Sequence, residues 1–312
     1  MDKVARFSGW AIAIHGGAGS LTSADLGTAE QQELRDGLSD ALDAGIAILT
    51  AGGGAVDAVQ ASVVRLEELP CFNAGRGAVF TSAGTIELDA AIMDGRDLRF
   101  GGMAGLSTTR SPVSGARSLM EKGPHIVLAG ADADRFAGAA GIPQVYNSWF
   151  HTAHRRAQLD EMLKAGPEAQ FDIGVRFGTV GAVARDVDGH LAAATSTGGL
   201  TGKMPGRIGD SAIIGGGTLA DDRSCAVSTT GSGEIFMRVR VAGQIADRIR
   251  FGGETLRQAM AEVLAEVEAL GGTGGIIAVD REGDPLFAMN ALSLNRARAN
   301  AAGLREIALF AA

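Results

Sequence analysis

The sequence has little of what a disulfide-stabilised, nucleic-acid-binding or membrane-spanning protein needs. Only Cys71 and Cys225 are cysteines among its 312 residues, which excludes a disulfide framework and a cysteine-rich metal site and fits a reducing compartment. Basic residues number 28 against 36 acidic ones, a net charge of −8 that argues against a generic partner such as nucleic acid or an anionic membrane. The apolar run near the N-terminus is too short to span a bilayer, and no small-residue cleavage site follows it. We therefore expect a soluble, cytoplasmic protein.

Aromatic side chains are also scarce, at 5% with a single tyrosine, so the core must be built from alanine, valine, isoleucine and leucine. Hydrophobic residues make up 46% of the chain, which is an ordinary globular balance. Glycine is abundant instead: its 46 positions are about twice the share expected from an average of about 7%. Because glycine weakens helices and strands, this excess predicts many tight turns or backbone packed against a ligand.

Periodicity and turn residues predict a mixture of helices and strands with antiparallel pairs. Strands are expected at 10–15, within 77–94 around a turn at 82–84, within 179–199 around a turn at Asp188-Gly189, at 225–229, and at 275–280 and 285–290. Helices are expected from a capping box at Thr28 to Gln31 up to Gly52, then at 55–70, 112–122, 131–139, 233–250 and 254–270. Residues 144–178 are polar and poor in β-branched side chains, and we interpret them as a mobile connector that holds some helix. Strands from both halves of the chain could share one sandwich.

Several short motifs fail on inspection. GGGTLA at 215–220 matches a dinucleotide-binding pattern, but no helix is predicted after it. GGLTGK at 198–203 has the wrong spacing for a phosphate-binding loop and is followed by Met204 instead of serine or threonine. His151 and His154 have no third ligand in sight and are interpreted as solvated side chains of the connector.

Threonine, serine and glycine concentrate in the second half of the chain. They occupy GTVG at 178–181, TSTGG at 195–199 and TTGSGE at 229–234, and KMPGRIGDS lies between them at 203–211. Any one of these segments could be an ordinary strand end or turn. Together, their hydroxyl groups, glycine amides and an arginine with an aspartate suit one small zwitterionic ligand.

At these motifs the sequence resembles the plant-type L-asparaginases, also called isoaspartyl peptidases, of the N-terminal-nucleophile hydrolases. The resemblance covers nearly the whole chain in six ordered motifs: IAIHGGAGS near the start, FNAGRGAVF at 72–80, ELDAAIMDG at 87–95, GTVGAVARDVDGHLAAATSTGG at 178–199, KMPGRIGDS at 203–211 and STTGSGE at 228–234. It implies an α+β fold, a four-layer αββα sandwich. It also implies autocatalytic cleavage into an α subunit, residues 1–178, and a β subunit, residues 179–312, with two such αβ units forming a dimer.

The resemblance further implies a site. Thr179 would be the nucleophile, freed by cleavage of the Gly178–Thr179 bond, and its new α-amine would be the base for its own hydroxyl. Other implied roles are orientation of the nucleophile by Thr197, oxyanion stabilisation by Thr230 and the Gly231 N–H, support by Asn73, and substrate binding by Arg207, Asp210, Gly231 and Gly233. No organic cofactor is implied. A structural sodium ion would bind the backbone carbonyls of Leu66, Glu67, Leu69, Phe72, Ala74 and Arg76.

Some positions depart from the family pattern. Ala212 stands where relatives often have proline, GGTLADD replaces a stretch that commonly bears an aromatic residue, and Ala291-Leu292-Ser293 replaces the Thr-Glu-Gly usual after Asn290. Three alternatives stay open. A glycosylasparaginase would be secreted or lysosomal, a threonine aspartase would have aspartate in place of Gly178, and a non-catalytic homologue would never mature. Substrates would be asparagine or β-aspartyl dipeptides, which present the same aspartyl group to the site.

Overall fold

The computed structural model describes residues 9–165 and 178–311. Its strands are β1 Ala11–Gly19, β2 Leu88–Asp94, β3 Phe100–Leu106, β4 Val127–Ala129, β5 Val180–Arg185, β6 Leu191–Thr197, β7 Thr218–Ala220, β8 Cys225–Gly231, β9 Gly274–Asp280, β10 Leu286–Met289, β11 Ser293–Asn300 and β12 Arg305–Phe310. Its helices are α1 Thr28–Thr50, α2 Ala55–Glu68, α3 Pro112–Lys122, α4 Gly130–Ala139, α5 Ala153–Ala165, α6 Gly233–Val239, α7 Val241–Gly252 and α8 Leu256–Ala269. No helix in these two segments is long and apolar enough to cross a membrane.

The strands form two sheets that pack face to face. One has eight strands in the order β12-β11-β1-β5-β6-β2-β3-β4, and the other has four in the order β10-β9-β8-β7. Small and β-branched side chains fill the space between them, including Ala13 and Val183 from the larger sheet and Ile277 from the smaller one. Their small volume lets the two sheets approach closely.

Helices cover the outer face of each sheet. α1 to α4 lie on the larger sheet, where their apolar side chains and those of the strands form the principal core. α6 to α8 lie on the smaller sheet over a second core built around Phe236 and Val263. The four layers are therefore helix, sheet, sheet, helix, and the expected α+β sandwich is confirmed.

Most predicted elements are present, and three local predictions are wrong. The first helix is capped at Gly27, whose N–H donates to Glu30 Oε2 at 2.8 Å, so Thr28 is its first residue and not its cap. Only residues 88–94 of the segment 77–94 form a strand. The helix expected over 233–250 is broken at Arg240, whose φ of 56° is left-handed.

The connector predicted over 144–178 lies partly inside the described residues. A 3₁₀ helix at Asn147–Phe150 and α5 occupy its first half, and residues 166–177 lie outside the described part. His151 is not merely solvated, because its ring packs on Phe80 at a centroid distance of 4.7 Å. Buried Arg155 on α5 donates to the Gly77 carbonyl at 2.6 Å and fastens this segment to the core.

Candidate active site

Thr179 lies immediately before β5, opposite the end of β6. The two strands pair with Val180 facing Ser196, so Thr179 and Thr197 are the next residues in register. The Thr179 hydroxyl donates to Thr197 Oγ1 at 3.1 Å, and Thr197 Oγ1 also accepts the Gly199 N–H at 2.9 Å. Thr179 is only 8% exposed. Its hydroxyl is thus held in one direction at a buried strand end.

The peptide before Thr179 lies between the backbone of Gly17 and the hydroxyl of Thr230. A Cβ at Gly17 would collide with the backbone of Gly178, and a Cβ at Gly178 would collide with Thr230 Oγ1. Thr230 Oγ1 in turn accepts the Ala18 N–H at 3.2 Å. The HGGAG segment therefore brings the Gly178–Thr179 bond within contact of the Thr230 hydroxyl, and glycine at 17 and 178 makes this approach possible.

Gly231 follows Thr230 at the end of β8. Its φ of +148° and the absence of a side chain are both required, because a Cβ there would collide with the Thr273 carbonyl oxygen. Gly231 lines the same cavity as Thr179. A backbone N–H and a hydroxyl at adjacent positions are the type of donors that stabilise a developing oxyanion.

Arg207 and Asp210 meet at Gly233. A Cβ on Gly233 would lie 2.8 Å from Asp210 Oδ1 and 3.1 Å from Arg207 Nη2, so this glycine keeps the space between them open. The guanidinium of Arg207 is held by Glu234, to which Nε and Nη2 donate at 2.9 and 2.8 Å. A cation and an anion beside an open backbone complement the carboxylate and ammonium of an amino acid.

Burial changes the acid–base properties of Asp210. Its carboxylate is 4% exposed and accepts the Thr229 hydroxyl at 2.8 Å. Burial raises the pKa of Asp210 to about 6, while the hydrogen bond from Thr229 and the charge of Arg207 oppose that rise. Asp210 is therefore ionised at neutral pH and loses its charge in mild acid.

Asn73 does not line the cavity but holds the turn after Thr197. Its side-chain amide donates to the Gly199 carbonyl at 2.7 Å, and its side-chain oxygen accepts the Val79 N–H at 3.0 Å. Its backbone carbonyl accepts the Gly198 N–H at 3.0 Å. Since Gly199 is also bonded to Thr197, Asn73 supports the residue that orients Thr179.

These groups open into one cavity of about 550 Å³. The predicted residues on its lining are Gly178, Thr179, Thr197, Arg207, Asp210 and Gly231, whereas Thr230, Gly233 and Asn73 do not line it. A buried hydroxyl, neighbouring N–H and hydroxyl donors, and a cation beside an anion are the groups that acyl transfer from a small amino-acid derivative would use.

Carbonyl oxygens of the loop that follows α2 lie close to two of its glycines. The Arg76 N–H donates to the Glu67 carbonyl at 2.7 Å and closes the loop. Gly75 and Gly77 have φ of 49° and 101°, and a Cβ at either would strike loop carbonyls, those of Glu67, Pro70 and Phe72. Neutral oxygens gathered in this way suit a hard cation. The described residues contain no cluster of three histidine, cysteine, aspartate or glutamate side chains that could bind a metal instead.

Sequence reasoning missed two residues beside the site. Glu234 ends the motif STTGSGE, yet only the structure reveals that it binds Arg207. His15, in the HGGAG motif, pairs across the sheet with Gly181 and bonds Ser228 Oγ through Nε2 at 2.9 Å. Burial lowers the pKa of His15 to about 3, so it is neutral at physiological pH.

Comparisons with known proteins agree on one family. Residues 8–309 match the profile of a family described as Asparaginase. An isoaspartyl peptidase from Escherichia coli is 47% identical over 295 residues, covering 92% of this chain and 91% of its own. An isoaspartyl peptidase/L-asparaginase from Mus musculus is 43% identical, covering 88% and 82%. One from Homo sapiens is 39% identical, covering 88% and 87%.

Proposed function

This chain belongs to the asparaginase family, and on that premise we propose that it is an amide hydrolase with L-asparaginase and isoaspartyl peptidase activity. The observation that carries the proposal is the meeting of Thr179, Thr197, Arg207 and Asp210 at one cavity. The relatives' names favour this activity over a glycosylasparaginase or a threonine aspartase.

We propose that the enzyme first cleaves its own Gly178–Thr179 bond. The Thr179 hydroxyl attacks the Gly178 carbonyl carbon, the peptide nitrogen leaves as the chain shifts to an ester, and water hydrolyses that ester. Cleavage leaves a carboxylate on Gly178 and a free α-amine on Thr179. The chain is then two fragments, residues 1–178 and residues 179–312. Contact of Gly178 with Thr230 Oγ1 supports this step, because a donor there can stabilise the intermediate.

The freed α-amine then activates its own hydroxyl. A terminal amine has a reference pKa of about 7.7–8.0, so a useful fraction is neutral at physiological pH and can accept the hydroxyl proton. Thr179 Oγ1 attacks the side-chain carbonyl of the substrate, the amine leaves with a proton, and an acyl ester remains. Water attacks the ester and releases aspartate. The proposed donors to the oxyanion are the Thr230 hydroxyl and the Gly231 N–H, both when the acyl ester forms and when water hydrolyses it.

Arg207 and Asp210 hold the substrate by its head group. Guanidinium binds the α-carboxylate through two parallel donors, and the Asp210 carboxylate binds the α-ammonium. Without substrate, the Arg207 guanidinium is paired with the carboxylate of Glu234. The Glu234 side chain is exposed, so it can turn to solvent when the substrate carboxylate takes its place. Asparagine and β-aspartyl dipeptides share this head group, so the same site can bind both substrates.

The remaining family properties are proposals as well. A structural sodium ion would bind the carbonyls of Leu66, Glu67, Leu69, Phe72, Ala74 and Arg76, and the close approach of the Glu67 and Phe72 carbonyls to the loop glycines supports it. Two αβ units would form a dimer. A cytoplasmic location is supported by Cys71 and Cys225, neither of which forms a disulfide.

The test is hydrolysis by purified protein. Release of aspartate from asparagine and from β-Asp-Leu should be measured for the wild-type chain and for Thr179→Ala. We expect the wild type to hydrolyse at least one of them and Thr179→Ala neither. Equal activity in Thr179→Ala would refute the proposed nucleophile.

A further inference from the structure

Asp89 is a fully buried acid near the start of β2, and it does not line the cavity. The register of β2 with β3 shifts between Leu88 and Ala90, so that Asp89 sits at a β-bulge. A bulge leaves an extra residue without a regular ladder partner. Here the Gly105 N–H of β3 donates to Asp89 Oδ1 at 2.9 Å. One carboxylate oxygen of Asp89 is therefore fixed by the neighbouring strand.

On its other side, β2 pairs with β6, and Asp89 is directly opposite Thr197. Side chains that are directly opposite each other in an antiparallel pair lie on the same face of the sheet. Asp89 is therefore on the face that carries the Thr197 hydroxyl, to which the Thr179 hydroxyl donates.

The second oxygen of Asp89 reaches the turn that carries Arg207 and Asp210. The Gly209 N–H donates to Asp89 Oδ2 at 3.3 Å. Gly209 lines the cavity and lies between Arg207 and Asp210 along the chain. A Cβ at Gly209 would be only 3.0 Å from Arg207 Nη1, so the guanidinium lies against this peptide. A shift of the Gly209 backbone would therefore move both charged residues.

Glu87, two residues before Asp89, fastens the other end of the same turn. The Gly206 N–H donates to Glu87 Oε2 at 2.8 Å. The buried Lys203 ammonium donates to the Glu87 carbonyl at 2.8 Å. Arg207 thus lies on a turn whose peptide groups are bound to two acids at the start of β2.

The Asp89 carboxylate has positive neighbours as well as N–H donors. Burial raises the pKa of Asp89, and the charges of Lys203 and Arg207 and the N–H groups of Gly105 and Gly209 oppose that rise. An asparagine at this position would have one acceptor oxygen instead of two. Its NH₂ group would face one of the two N–H donors, and that buried donor would lose its partner.

We propose that Asp89, together with Glu87, is a positioning residue that holds the turn of Arg207 and Asp210 in its binding geometry against the strand of Thr197. The inference rests on the proposed function and names residues of that reaction that lie outside the cavity. Asp89 touches no substrate and acts through Gly209. Because self-cleavage needs no anchor for a free substrate, loss of the Asp89 carboxylate weakens substrate binding and leaves maturation intact.

The test measures binding and catalysis separately in mature enzyme. Titration calorimetry gives the Kd of L-aspartate, which carries the same head group, and steady-state kinetics give kcat and KM for asparagine. In Asp89→Asn we expect Kd and KM to rise about tenfold, the low end for a lost hydrogen bond to a charged group, with kcat within about threefold of the wild type. In Glu87→Gln the rise should be about threefold, because a neutral amide oxygen accepts a weaker hydrogen bond.

Asp94→Asn is the matched control. Asp94 lies at the other end of β2, is as buried as Asp89, binds Arg96 and does not line the cavity. This variant should have a lower melting temperature and wild-type values of Kd and KM, because it loosens the same strand without touching the turn.

Unchanged Kd and KM in cleaved Asp89→Asn, or a loss of kcat alone, overturns the positioning role while the hydrolase stands. An equal rise in Asp94→Asn also overturns it, because the effect would then come from general loosening of β2. If Asp89→Asn does not fold, Glu87→Gln decides, and an unchanged KM there overturns the proposal. A wild-type enzyme that neither binds aspartate nor hydrolyses asparagine refutes the proposed function, and the positioning role falls with it.

Discussion

Replacing Arg207 by alanine should separate the two reactions that we propose for Thr179, self-cleavage and substrate hydrolysis. Self-cleavage is intramolecular, because Gly178 is already tethered beside the Thr179 hydroxyl, and it needs no anchor for a free substrate. Hydrolysis is bimolecular and needs a partner for the substrate's α-carboxylate. Arg207→Ala should therefore mature almost normally and hydrolyse asparagine poorly.

The size of the effect follows from the surroundings of Arg207. Its side chain is 16% exposed and faces the cavity. Removing one partner of a buried, hydrogen-bonded charge pair costs about 2–5 kcal/mol. Because the substrate carboxylate would be bound at an open cavity, we expect the lower part of this range, about 2–3 kcal/mol. This free energy corresponds to roughly a 30-fold to 140-fold loss in kcat/KM. Arg207→Lys should recover only part, since an ammonium lacks the planar fork.

The assay follows both reactions in the same preparation. Denaturing mass spectrometry measures the fraction of cleaved chain, and ammonia release from asparagine measures hydrolysis. Arg99→Ala is the control, because Arg99 forms an exposed ion pair with Asp97 and does not line the cavity, and both reactions should be normal. Cleaved Arg207→Ala with wild-type kcat/KM would remove Arg207 from the substrate site.

Three further changes test other parts of the site. The KM for asparagine should rise as pH falls below about 6, because burial raises the pKa of Asp210 to about 6 and protonation removes the charge proposed to bind the substrate ammonium. Asp210→Asn should have a high KM that is flat over this range, and a wild-type pH profile in that variant would contradict the assignment. Thr230→Ala should slow maturation and hydrolysis together, the latter by about 10²–10³ in kcat; a loss confined to one reaction would show that the two use different donors. Gly231→Ala should lose hydrolysis or fold poorly, because its Cβ would strike the Thr273 carbonyl, and full activity with an unchanged melting temperature would refute that constraint.

The sequence predicted elements whose signals are local. Turn residues at Asp188-Gly189 place β5 and β6, and apolar spacing places α1, α2 and α8. β11 and β12 were not predicted. β11 has the sequence SLNRARAN, which is poor in β-branched residues, and it forms a strand because it pairs with β1 and β12. The break at Arg240 was missed too, since no glycine or proline marks it.

For the candidate site too, the sequence predicted single positions but not how they come together. Family motifs pointed to Thr179, Arg207 and Asp210 as single positions, and their roles stay predictions. Their meeting depends on sheet register and on the packing of two sheets, which no local pattern encodes. The hydrogen bond from Arg207 to Glu234 likewise joins two segments that no local pattern connects.

The most direct test of self-cleavage at Thr179 is the mass of the freshly purified chain, with no added protease, alongside Thr179→Ala. We expect the wild type to yield two fragments divided between Gly178 and Thr179, and Thr179→Ala to remain one chain. A wild-type chain that hydrolyses asparagine while intact, or a Thr179→Ala chain that still splits at this bond, would contradict the claim that Thr179 frees itself to become the nucleophile.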